Sequence, residues 1–82
     1  MATTRQDIIG WFKRGKEQGA THMIVVCDTY DWEDYPVYVM PNEDVHKKHS
    51  EYSGPNMQKV MEVYNLQKDM DSQMKQHRNF EF

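Results

Sequence analysis

The segment Asp28-Thr-Tyr-Asp-Trp-Glu-Asp-Tyr35 places four carboxylates and three aromatic rings within eight positions. Carboxylates this close repel one another unless a cation, a basic partner or hydration compensates them. The calcium-loop pattern, with acids or amides at every second position followed by a turn glycine, is absent, because the segment has no glycine. Tyr30, Trp32 and Tyr35 can serve as flat, rigid anchors, while Asp28, Asp31, Glu33 and Asp34 supply hydrogen-bond acceptors. That pairing is found at the energetic centres of protein interfaces. It also suits a base or sugar, with rings stacking and carboxylates taking ribose hydroxyl protons. The structural alternative is a hydrated turn with Trp32 folded back onto a helix.

Other candidates are weaker. His46 and His49 share a helix face near Glu43 and Asp44, a spacing that zinc sites use, but no further ligands stand at a matching spacing. Packing or a single hydrogen bond is the expectation for His49. His22 and Cys27 with neighbouring acids have the residue types of a nucleophile–base set. Strand alternation puts them on opposite faces, roughly 17 Å apart along the chain, which argues against intrachain catalysis. Lys13, Arg14 and Lys16, with Lys47 and Lys48, could form a basic rim that holds phosphates or bridges an anion to the acidic segment. Aromatics are not interleaved with them, so direct nucleic-acid binding is weakly supported.

The elements that would position these groups follow from local pattern. Residues 4–18 predict a helix with Thr4 as cap, Asp7 in its first turn, and Ile8, Trp11, Phe12 and Gly15 on one face. Gly15 would permit close approach to a sheet, and Gly19 would end the helix in a left-handed conformation. Residues 21–29 read as a strand that is apolar on both faces and therefore central. Residues 35–40 read as its hairpin partner, with Pro36 near the start. Asn42 would cap a second helix over 42–53 with an inward stripe of Val45, His49 and Tyr52, stopped by Gly54 and Pro55. Residues 57–66 fit a strand or a helix; the strand is favoured. Residues 69–78 read as a short polar helix anchored by Met70 and Met74. The result is an α+β fold, with helices packed on one face of a small antiparallel sheet. The other face, left bare, would favour a homo-oligomer.

With 82 residues the chain has room for one domain, residues 1–82, with ends (1–3 and 79–82) that are loose or docked on a partner. A domain of this size buries only about 60–65% of its unfolded surface. The net charge is −3, concentrated in six acids between residues 28 and 44 with no Lys or Arg among them. Such a patch repels phosphates and attracts cations or basic protein surfaces. Cys27 stands alone, so no internal disulfide forms, and a reducing, cytoplasmic setting is expected. The opening Met-Ala-Thr-Thr-Arg does not read as a signal peptide, and no run reaches the ~20 apolar residues of a membrane span. No cofactor is implied.

Residues 19–39 (GATHMIVVCDTYDWEDYPVYV) and 57–66 (MQKVMEVYNL), about 31 of the 82 residues, resemble blocks in small uncharacterised proteins of tailed bacteriophages. The resemblance transfers no catalytic residues. It implies an accessory protein that neutralises a host defence. The expected function is non-enzymatic: the acidic-aromatic loop docks on a host protein such as a CRISPR effector. Alternatives are an oligomeric sponge for a nucleotide immune signal, a minor virion or assembly component, and a small nucleotide-acting enzyme using Asp28, Asp31 or Glu33.

Overall fold

The computed structural model describes residues 3–54, 57–76 and 78–82. Pro55, expected to stop the second helix, and residues 1–2, part of the expected loose N-terminal end, lie outside them. Helix α1 spans Arg5–Glu17. Its start is a capping box: Thr4 Oγ1 accepts from Asp7 N at 3.2 Å, and Asp7 Oδ2 accepts from Thr4 N at 3.0 Å. Gly19, at φ +82°, ends it; the N–H of Ala20 returns to Gly15 O and that of Gly19 to Lys16 O.

Strands β1 (His22–Asp28), β2 (Glu33–Val39) and β3 (Gln58–Asn65) form one antiparallel sheet in the order β2-β1-β3. This bears out the α+β class and the third strand. The central strand is apolar on both faces, as its sequence requires. Between β1 and β3 the register shifts: Val25 opposes Glu62 and Val26 opposes Val60, leaving Met61 as a bulge.

One detail of the expected architecture is corrected. Helices occupy both faces of the sheet, not one. On the first face Ile8, Phe12, Met23, Val25, Tyr64 and Leu66 form a core, and Met70 and Met74 of α3 (Met70–Met74) pack against it. On the second, Ile24, Val26, Val37, Val39 and Val63 are covered in part by Val45 and Tyr52 of α2 (Val45–Tyr52). The surface that motivated self-association is therefore partly covered within one chain. Helix α2 also starts later than expected. Asp44, not Asn42, is its cap, accepting from His46 N at 2.9 Å, while Glu43 reaches back to Met40 N.

The C-terminal segment docks rather than fraying. Val63 N donates to Asn79 O at 2.8 Å and Glu81 N to Val63 O at 3.0 Å, adding a parallel bridge along the outer edge of β3. Buried polar groups hold it there. Asn79 Nδ2 donates to Val63 O and to Gln73 Oε1. Gln73 in turn bonds both the N–H and the C=O of Asn65. Glu62 accepts from Asn79 N at 3.1 Å and from the Tyr64 hydroxyl at 2.8 Å. Burial, then the Glu62 bond, pushes the Tyr64 hydroxyl well above the usual phenol range.

Two outcomes follow. A Cβ at Gly15 would lie 2.7 Å from Leu66 Cδ1 and from Tyr38 Cε1, and the Tyr38 ring is tethered by its hydroxyl to Trp11 O. Gly15→Ala should lower urea-unfolding stability by about 1–2 kcal/mol despite the better helix former. Gly10→Ala, with nothing within 4 Å, should raise it by about 0.5–1 kcal/mol. Because the native state holds the Tyr64 proton more tightly than the unfolded chain does, this stabilisation is complete below pH ~10 and is lost as pH rises above it. Tyr64→Phe should flatten the alkaline limb of a pH–stability curve. It should also cost about 1–3 kcal/mol at neutral pH, by leaving the Glu62 carboxylate short of a donor.

Candidate protein-docking surface

The β1–β2 connection is only Thr29–Trp32, because the strands pair through Asp28 and Glu33. Two of the acids build the turn. Asp28 Oδ1 accepts from Tyr30 N at 2.9 Å, and Asp31 Oδ1 accepts from Glu33 N at 3.1 Å. The N–H of Trp32 closes back on Asp28 O at 2.7 Å, which leaves Trp32 at φ +59°. A left-handed conformation costs a non-glycine residue of the order of 1 kcal/mol. Beside the turn, Thr29 N donates to Met57 O, and Met57 is also left-handed at φ +55°.

This arrangement holds apolar bulk in water. Tyr30 is 78% exposed, Trp32 62% and Met57 56%. Trp32 does not fold onto a helix; Lys59 Nζ stands 5.4 Å from its ring centroid, a cation–π contact that steadies one face. Asp31 and Glu33 are exposed beside the rings. Tyr30, Asp31, Trp32 and Glu33 are thus brought together at the tip, and Met57 and Lys59 join them. Neither of those two was expected. Met57 opens the segment expected as the third strand, and Lys59 reaches the tip only through the β1–β3 register, which sets it opposite Cys27.

The remaining expected site residues recede. Asp28 is half-buried as the turn former. Asp34 and Tyr35 lie inside β2 and point to opposite faces. Asp34 pairs with Cys27, whereas Tyr35 packs on the second core and donates its hydroxyl to Gln58 Oε1 at 3.3 Å. Burial pushes the Tyr35 hydroxyl above the usual phenol range. Lys13 and Arg14 precede Gly15 on α1, and Gly15 lies against Tyr38 and Leu66 at the end of the sheet away from the tip. Lys47 sits on α2, over the other face. One chain therefore does not assemble the rings and these cations into a single pocket.

Nor do the other candidates form reactive sets. His46 stacks on Phe82 with centroids 4.6 Å apart, and His49 meets the same ring edge-on at 5.1 Å. Among the described residues, no group of three or more His, Cys, Asp or Glu is placed to hold a metal ion. His22 Nδ1 lies 2.9 Å from Thr21 Oγ1, and burial holds the imidazole below its usual pKa. Cys27 belongs to the opposite face; burial, then the Asp34 carboxylate, pushes its thiol up.

No protein-family model matches the chain, and comparison with curated proteins and with solved structures yields no significant match. Among the described residues, no helix is long and apolar enough to cross a membrane.

The Cys27 environment gives a direct chemical check. Burial both lowers the thiolate fraction and keeps reagent away from the sulfur. Iodoacetamide at pH 7.5 should alkylate Cys27 at least ~10-fold more slowly in native buffer than in urea, as followed by intact mass.

Proposed function

We propose that the protein is a non-enzymatic binding protein that docks its acidic-aromatic hairpin tip on a basic surface of another protein. The observation that carries this reading is the exposure of Tyr30, Trp32 and Met57 at one end of the fold, flanked by Asp31 and Glu33. Large rings ringed by charge are the composition of an interface hot spot. The acids would steer the tip toward cations, an attraction that salt screens. The resemblance to phage proteins makes the partner a host defence protein, such as a CRISPR effector, met in the host cytoplasm; that part rests on the resemblance alone.

The test begins with tagged protein and an extract of the host. The recovered partner is identified by mass spectrometry, purified, and titrated against the wild type and Trp32→Ala by calorimetry. Affinity should fall by about 30-fold or more, the loss of a hot-spot residue, with the melting temperature lowered by no more than a degree or two. Glu33→Lys should slow association and weaken its salt dependence. Unchanged affinity in Trp32→Ala would refute the reading.

A further inference from the structure

A second feature lies on the first face of the sheet, away from the rings of the tip. A cleft of about 380 Å³ opens between the start of α1, the strands and the C-terminal segment. Ile8, Val25 and Met61 give it an apolar floor, and the bulge at Met61 shapes one wall. That volume is at the small end of the range for organic ligands.

Four charged side chains line the cleft, and they are not equally satisfied. Glu62 is buried and accepts from the Tyr64 hydroxyl and the Asn79 amide. Asp34 stands opposite Cys27 across the β1–β2 pair. The two arginines hydrogen-bond to neutral oxygens, and the Arg78 guanidinium also stands 5.7 Å from the Phe80 ring centroid. Arg5 donates to the Tyr64 hydroxyl at 3.4 Å and to Gln76 O at 3.1 Å, and Arg78 donates to Met61 O at 3.4 Å. Among the described residues, neither guanidinium is paired with a carboxylate. Each has five N–H donors in a planar fork, and both side chains are exposed, so the donors these bonds leave over face solvent.

From this asymmetry we infer that the cleft binds a small organic carboxylate, its apolar body on Ile8, Val25 and Met61 and its carboxylate on Arg5 and Arg78. Guanidinium–carboxylate bonds are charge-assisted and often bidentate. A monoanion fits better than a phosphate dianion, because repulsion from Asp34 and Glu62 in the same lining grows with the charge the ligand brings. The inference is independent of the hairpin tip, none of whose exposed rings lines the cleft.

Amide NMR of the full chain tests it, with N-acetyl-leucine as probe, N-acetyl-leucinamide as uncharged control, and phenyl phosphate as dianion. N-acetyl-leucine should give saturable shifts at Val25, Met61 and Glu62. The amide should bind about tenfold or more weakly, and phenyl phosphate should bind more weakly than the carboxylate. Arg78→Gln should lower affinity for N-acetyl-leucine about tenfold. Arg5→Gln should do the same, with a thermal melt to separate this from the loss of its brace on Tyr64. Equal binding of acid and amide, tighter binding of phenyl phosphate, no saturable shift at the cleft, or an unaffected Arg78→Gln would each overturn the assignment.

Discussion

The fold depends on one constraint: the central strand is apolar on both sides. Met23 and Val25 face one way and Ile24 and Val26 the other, and all four are at most 1% exposed. A sheet with such a strand needs cover on each face, and a short chain has little to cover it with. Helix α1 suffices for most of the first face because Gly15 lets it approach closely. The second face receives α2, which has no fully buried residue of its own. Its cover is completed by Tyr35 and Val60 at the rim of the core, and α2 is itself clasped through His46 and His49 by Phe82. The docked C-terminal segment, the Gln73–Asn79 network and the bulge at Met61 all belong to that economy.

Local signals were legible where chemistry and geometry act within a few residues. Thr4 and Asp7 mark the first helix, Gly19 its end, and the β-branched runs mark strands, because caps and alternation need no tertiary information. The face on which α2 would lie was not legible. A stripe of Val45, His49 and Tyr52 says which side of a helix turns inward, but not which side of the sheet it meets. The buried roles of Gln73, in the expected polar helix, and of Asn79, in the expected loose or partner-docked end, were not legible, because hydrogen bonds to a strand leave no period in the sequence. Asp34 and Tyr35 left the expected loop for a related reason. Pairing runs out to Asp28 and Glu33, and alternation then sends consecutive residues to opposite faces.

At the tip, strain and exposure coincide. Asp28 and Asp31 spend carboxylate oxygens on backbone N–H groups, so they are structural residues before they are charges offered to a partner. Trp32 and Met57 both adopt a left-handed backbone without being glycine. Such conformations persist only where the surrounding structure over-determines them. Here the paired strands on either side and the bond from Thr29 to Met57 do so. The effect is to aim large side chains outward on a stiff support. Rings ordered before binding lose less entropy on contact, which is where pre-organisation adds to affinity.

Glu33 and Asp34 show how one strand can serve two surfaces of different selectivity. Glu33 belongs to the exposed acidic tip, and Asp34 lines the cleft on the first face. The tip carries excess negative charge in open solvent, so its attraction is long-ranged, screened by salt and suited to a large basic surface. The cleft balances two arginines against two carboxylates and carries no net charge, so its field is short-ranged. Whatever it distinguishes must be distinguished at contact, by the direction of N–H groups and the shape of an apolar floor. On the two proposals, adjacent residues on β2 would contribute to recognition by opposite physics, field at the tip and geometry in the cleft, and neither surface borrows an exposed ring or an arginine from the other.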